Sequence, residues 1–201
     1  MAEDGLRERK KRETRIALSW AAIRLFVERG FENVRVEDIA AEVGVSPRTF
    51  NNYFSSKAAA VVERHVDRAR LIADELRARP ADEPLWEAIT AAVLTRFAMG
   101  AEITGGDQKW LEGVRLLVAE PALQLEFMRV NVIAEAELAE AIAERTGTDV
   151  RRDLYPKLVA SMAMAATETA SAHWQQLDSP TDIGTLLADA LRQVAAGLPT
   201  P

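Results

Sequence analysis

Five polar side chains with strong hydrogen-bonding chemistry, Arg48, Thr49, Asn51, Asn52 and Tyr53, stand in one short stretch with Phe50 and Phe54 among them. On a helix the two phenylalanines, four apart, share one face, so the polar groups point away from it. Outward groups of this kind suit the major groove of DNA: Arg grips guanine at two atoms, Asn does the same for adenine, and Thr meets a thymine methyl or a phosphate. Tyr53 and Lys57, beside a helix start at Ser56, are placed to hold backbone phosphates, where a cation and free amide groups act together. By periodicity alone the stretch reads equally well as an ordinary helical hairpin with a polar outer face.

Groups for other chemistries are sparse. The chain has no Cys, which removes disulfides, thiolate zinc sites and cysteine nucleophiles together, and only two imidazoles, His65 and His173, so no metal site is expected. It carries no Gly-rich phosphate loop with a following Lys, no Gly-x-Ser-x-Gly elbow and no His-Glu-x-x-His. Glu135, Glu137, Glu140 and Glu144 read as the solvated face of an acidic helix. His65 lies in a charged stretch and reads as surface, while His173 beside Trp174 reads as a structural imidazole or part of a ligand pocket. No catalytic residue is expected.

The elements that must position these groups are helices. With 35 Ala against 8 Pro and 10 Gly among 201 residues, and no sustained apolar/polar alternation, the chain reads as all-α. Residues 1–12 are expected to be a mobile arm whose cluster Arg7, Arg9, Lys10, Lys11 and Arg12 sits in solvent or touches a polyanion. A first helix runs from Thr14 to the stop at Gly30. A short one spans Val36 to Val43 and ends at Gly44; Ser46-Pro47, an N-cap followed by Pro at the first helical position, opens another to about Tyr53. Two short helices about a Gly-containing turn make a helix-turn-helix. Ser55-Ser56-Lys57 then opens a long helix to about Arg79, where Pro80 and Pro84 stop it.

The rest reads as a second, larger helical layer. Asp82 caps a helix ending near Gly100, Trp110, Val114, Leu117 and Val118 mark a short one, and Pro121 opens one that reaches Gly147. A long helix from about Val150 to Leu177 and a last one capped by Ser179-Pro180 bring the total to nine. The expected division is an arm and helix-turn-helix domain over 1–57, a linking helix over 58–80, and a third segment over 81–201. Charge divides similarly: residues 1–70 hold 14 Lys plus Arg against 11 Asp plus Glu, while residues 71–201 hold 11 against 20, within a whole of -6. A basic end on an acidic chain is compatible with a nucleic-acid partner. The longest uncharged run, Leu158 to Thr167, falls short of the ~18 to 20 apolar residues of a membrane span, and the N-terminus lacks a signal peptide's apolar core. A cytoplasmic protein is expected.

Several fixed spacings carry a resemblance. Ala21-Ala22-Ile23-Arg24-Leu25-Phe26, Glu28-Arg29-Gly30-Phe31, Val36-Glu37-Asp38-Ile39-Ala40, Gly44-Val45-Ser46 and Thr49-Phe50 through Tyr53-Phe54-Ser55-Ser56-Lys57 closely resemble the DNA-binding domain of the TetR family of bacterial transcriptional regulators. The resemblance implies a nine-helix homodimer in which helices 1 to 3 bind DNA and helix 4 links. The remainder then binds a small-molecule effector and dimerises through the last two helices. It further implies a ligand-responsive regulator, a repressor released from a palindromic operator in double-stranded DNA, with no cofactor beyond the effector. DNA contacts are then expected from Arg35, Ser46, Arg48, Thr49, Asn51, Asn52, Tyr53 and Lys57. Two positions depart from the family pattern: Val34-Arg35 replaces the usual Thr-Thr, so that Arg35 can reach a phosphate but cannot cap as Thr does, and Asn51 replaces an aromatic residue. The segments Asp82-Glu83-Pro84-Leu85-Trp86 and Glu137 to Ala143, with Trp174, look like an actinobacterial subgroup, some of whose members respond to acyl-CoA-like effectors.

Polar or aromatic residues that interrupt apolar faces are the candidates for an effector pocket: Phe97, Trp110, Arg115, Phe127, Arg129, Asn131 and His173. Each aromatic among them also reads as plain core. A helical enzyme or carrier that keeps the hairpin only as a fold element, and a structural adaptor, are the competing readings.

Overall fold

The structure is a computed structural model that describes residues 2–104, 120–177 and 182–200. Among these, eight α-helices and one 3-10 turn follow in order: α1 (Ala2–Arg29), the turn Phe31–Asn33, α2 (Val36–Val43), α3 (Pro47–Asn51), α4 (Lys57–Ala78), α5 (Leu85–Thr104), α6 (Pro121–Thr146), α7 (Tyr155–Gln176) and α8 (Ile183–Ala195). The described residues contain no strand. The expected short helix of Trp110 to Val118 lies outside them.

The chain forms two compact units, one of residues 1–66 with 106–130, the other of 67–105 with 131–201. In the first, Leu18, Ala22 and Leu25 of α1 are buried at helical spacing with Ile39, Ala40, Phe50, Phe54 and, from α4, Ala58, Val61 and Val62. Buried Ser19 would cost energy on such a face, and it is satisfied by donating to the Ala60 carbonyl at 2.5 Å. In the second unit, Leu76, Ile89, Ile142, Leu187 and Leu191 are buried around the small residues Ala92, Ala160 and Ala163. Here Arg145 gathers carbonyls of the segment between α4 and α5, donating to Arg79 at 3.3 Å, Glu83 at 2.7 Å and Pro80. The division between units falls inside two helices: in α4 at Val66/Asp67, where Val61, Val62 and Val66 belong to one core and Ile72, Ala73 and Leu76 to the other, and in α6 at Val130/Asn131, where Leu123 and Val130 belong to one and Leu138 and Ile142 to the other.

Several expected boundaries move, each for a local reason. The polar N-terminal arm is helical, continuous with α1 back to Ala2, since Arg, Lys and Glu are good helix formers and nothing in residues 2–13 breaks the helix. α5 passes Gly100 and reaches Thr104, because an interior Gly costs a helix only about 1 kcal/mol against Ala. α7 starts at Tyr155 rather than Val150: Asp149 instead closes a turn, accepting from the Arg151 N–H at 2.8 Å while its own N–H donates to Asp153 at 2.7 Å. α8 is capped by Asp182, which accepts from the Thr185 N–H at 2.9 Å; Ser179-Pro180 lies outside the described residues.

Candidate nucleic-acid interface

The helix-turn-helix is built from its caps. α2 ends on Gly44 at φ 73°, a left-handed conformation without penalty for Gly, and its N–H returns to the Ala40 and Ala41 carbonyls. Ser46 then caps α3, its hydroxyl accepting from the Thr49 N–H at 3.1 Å, with Pro47 at the first position. Phe50 is fully buried and Phe54 nearly so, their rings 5.6 Å apart, which anchors α3 by its inner face. Such burial contributes about 1.5–3 kcal/mol per ring. The register leaves Arg48, Asn51 and Asn52 exposed on the outer face. α3 ends at Asn51 with Asn52 as its C-cap, two residues before the expected end at Tyr53.

The other candidates divide between surface and scaffold. Ser46 is exposed and Thr49 half-buried, with their hydroxyls 2.9 Å apart, so both already serve the cap. Tyr53 is half-buried against the first core. Arg35 is exposed at the N-cap of α2; its guanidinium has no lone pair to offer, so the Arg35 N–H instead donates to the Asp38 carboxylate at 2.8 Å and the side chain is not used in the cap. Lys57 departs most from expectation. Its ammonium is turned inward, donating to the Phe31 carbonyl at 2.7 Å and to that of Val34 at 3.1 Å, 4.1 Å from the centre of the Phe31 ring. In this position the ammonium clamps the turn that leads into Arg35.

Some structural groups escaped sequence reasoning. Arg15 of α1 holds Glu63 of α4 through two hydrogen bonds of 2.5 and 2.7 Å, and its guanidinium lies 5.0 Å from the centre of the Phe54 ring. Glu63 is 8% exposed, so this ion pair sits where its loss would leave a buried charge. Forty-eight residues separate the partners and no local pattern announces them. Ser19 did carry a signal, a polar residue set inside an apolar face.

Of the expected effector residues, Phe127 and Arg129 belong to the first unit and Phe97, Asn131 and His173 to the second. Phe97 is half-buried with the Arg68 guanidinium 4.6 Å from its ring centre, Phe127 meets the His65 ring edge-on at 5.6 Å, and Asn131 donates to Glu168 at 2.5 Å. His65 is accordingly half-buried rather than on the surface. Arg129 is exposed and paired with Glu126 at 3.4 Å, and His173 is exposed. Trp110 and Arg115 lie outside the described residues. A shallow groove of 210 Å3 lies elsewhere, lined by Val132, Glu135, Ala136, Ala139, Glu140, Val150 and Lys157. No group of three or more acidic or imidazole side chains suited to a metal ion occurs among the described residues.

A capped, Phe-anchored recognition helix on a small helical domain, followed by a larger helical unit, defines a helix-turn-helix DNA-binding regulator. The comparisons give the same class: the family model "Bacterial regulatory proteins, tetR family" matches residues 20–63 and the model "MftR C-terminal domain" matches residues 83–199. The HTH-type transcriptional regulator TcmR of Streptomyces glaucescens is 34% identical over 90% of this chain and 81% of its own. MftR of Mycobacterium tuberculosis, which carries the name of a mycofactocin biosynthesis regulator, is 28% identical over 94% of this chain and 93% of its own. The fold is shared with the fatty acid degradation regulator FadR of Bacillus halodurans, with a TM-score of 0.61 and 18% identity over 94% of this chain and 97% of that one. The chain belongs to the TetR family of bacterial transcriptional regulators. Members of this family bind operator DNA, act as dimers and bind small-molecule effectors, and the class is not enzymatic. No described helix is long and apolar enough to cross a membrane.

Proposed function

We propose that this protein is a cytoplasmic repressor that sits on a palindromic operator as a homodimer and is released by a small organic effector, without any other cofactor. The observation that carries this reading is α3: capped by Ser46 and anchored by Phe50, it presents Arg48, Asn51 and Asn52 to solvent in the pattern that reads base edges. Arg35 is the exposed cation for a flanking phosphate, and Ser46, Thr49 and Tyr53 border the same surface.

A dimer seam through the last two helices is supported by α7. Tyr155, Leu158, Met162, Ala165, Thr169 and Ala172, alternating three and four apart, are all exposed, with Leu158 at 51% and Met162 at 37%. That spacing is the seam of a helix that packs on another helix, and the small residues at its C-terminal end permit close approach. A two-fold dimer carries two copies of α3, one for each half-site of a palindrome. α4, which like α6 supplies residues to both cores, follows directly on the helix-turn-helix and is the coupling element; an effector that prefers one setting of α4 needs only about 1–3 kcal/mol of differential affinity to shift operator binding.

The test is binding of the purified protein to duplex DNA from the region flanking its own gene, against random-sequence duplex of equal length. Arg48→Ala and Asn52→Ala should each weaken specific binding by about 1–3 kcal/mol and leave the random duplex unaffected. A protein that binds both duplexes equally, or neither, refutes the reading, and transcription that falls on deleting the gene would replace repression by activation.

A further inference from the structure

α3 is too short to hold its own direction. A helix of five residues has little stability in isolation, so its setting is decided by what its inner face rests on. That face is Phe50, fully buried in the first core, and Phe54, which closes the following turn by donating its N–H to the Phe50 carbonyl at 3.0 Å. Asn51 and Asn52 lie between the two rings in sequence, so a displacement of Phe54 re-aims the side chains that face the bases. The Phe54 ring has the Arg15 guanidinium 5.0 Å from its centre, and Glu63 grips that guanidinium at two atoms, Nε to Oε1 at 2.5 Å and Nη2 to Oε2 at 2.7 Å. Such a fork fixes the plane of the group as well as its place, which a lysine ammonium cannot do. α4, which carries Glu63, is itself registered on α1. One turn on from Arg15, the Ser19 hydroxyl donates to the Ala60 carbonyl, and the Arg64 guanidinium lies 4.9 Å from the centre of the Trp20 ring. Stability does not account for the ion pair: Glu63 is buried, and apolar residues of similar size in place of a buried pair are often neutral or stabilising. What apolar residues would lose is direction.

We propose that Arg15 and Glu63 are positioning residues for base reading: Glu63 orients the Arg15 guanidinium, the guanidinium seats Phe54, and Phe54 sets the angle at which Asn51 and Asn52 meet the bases. The inference rests on the DNA-binding reading above and assigns a part in it to two residues outside the helix-turn-helix, one on each of the long helices α1 and α4. Operator selectivity then depends on where α4 sits along α1, because a bidentate pair with both contacts under 3 Å tolerates little sliding before one of them breaks.

The experiment uses the full chain and two fluorescent duplexes, one from the region flanking its own gene and one of random sequence. Its decisive variant combines Arg15→Met with Glu63→Leu, which removes one charge of each sign and keeps the side-chain volume. The melting temperature of this variant should stay within about 5 °C of the wild type. Its affinity for the random duplex and its slope of log K against log salt should be unchanged, since no phosphate contact is lost. The preference for the flanking duplex should nevertheless fall by about 10-fold or more, the contribution of one well-made base contact. Arg15→Lys, which keeps the charge and loses the fork, should lower the preference in the same way. A folded double variant that keeps the wild-type preference overturns the proposal, as does an equal loss of affinity for both duplexes. If the double variant does not fold, Arg15→Lys decides alone: an unchanged preference overturns the proposal, and a lost preference at unchanged salt slope upholds it. A wild type that does not distinguish the two duplexes sinks the regulator reading itself.

Discussion

Lys57 lies where phosphate contact was expected, and its geometry predicts a different phenotype on removal. Lys57→Met keeps the length and apolar body of the side chain but deletes the ammonium that holds the Phe31 and Val34 carbonyls at 2.7 and 3.1 Å. A hydrogen bond from a charged donor contributes ~1.5–3 kcal/mol, and a cation over an aromatic ring ~0.5–1 kcal/mol at partly exposed sites. Lys57 is half-buried and water can partly replace it at the turn, so the loss falls below the lower-end sum of ~3.5 kcal/mol for two bonds and the ring contact, to about 2–3 kcal/mol. For a chain of this size ~1 kcal/mol shifts the melting temperature by ~2–4 °C, so circular dichroism should record a fall of about 4–12 °C. Operator affinity should also drop, because the freed turn leads directly into Arg35 and α2. The salt dependence should stay that of the wild type, since no phosphate contact is lost. A slope that falls by ~0.9 with the melting temperature unmoved would refute this reasoning and make Lys57 a phosphate ligand.

Other expectations follow from the same geometry. Phe50→Ala empties a fully buried site and should cost about 3–5 kcal/mol in denaturant unfolding; a loss under 1 kcal/mol would mean that α3 is not anchored by this ring. Met162→Glu sets a charge in the exposed stripe of α7 and should turn a dimer into a monomer in analytical ultracentrifugation; an intact dimer would move the seam elsewhere. The hydrogen bonds from Arg79 at 2.5 and 2.6 Å hold the Glu83 carboxyl below the ordinary carboxylate range, opposed by desolvation and aided by the charges of Arg79 and Arg145. The unfolded chain therefore takes up this proton first as pH falls, so the stabilisation is complete above the usual glutamate value and fades as pH drops through the depressed one. The melting-temperature gap between wild type and Glu83→Gln should be constant from pH 7 to about 5 and close below that; a gap that persists into acid would exclude the pair as its cause.

Local codes made much of this protein legible in advance. α2 begins and ends where Val36 and Gly44 predicted, and Ser46-Pro47 opens α3 as read, because a cap and a left-handed Gly act within four residues of chain. The burial of Phe50 and Phe54 and the exposure of Arg48, Asn51 and Asn52 follow from helical spacing once a core exists on one side. Boundaries failed where two local signals competed. Asp149 stood near an apolar run that could have extended α7, and its side chain closed a turn instead. The polar arm lacked an apolar face and read as mobile, but its helix-forming residues only needed α1 as a nucleus, and propagation from an existing helix avoids the cost of starting one.

By itself, then, the amino-acid sequence determined the all-helical class, the position of the helix-turn-helix and the side chains it turns outward, since propensity, capping and periodicity act over a few residues. Tertiary structure alone decided which charged groups face the solvent and which serve as scaffold. Lys57 and Arg15 look like surface cations in the chain, and they become clamps because folding brings the Phe31 and Val34 carbonyls and the Glu63 carboxylate to them from 23 to 48 residues away. The sign and type of a charged residue are written locally. What it pairs with depends on which distant polar groups the closing core leaves in need of a partner, and only the packed chain defines that.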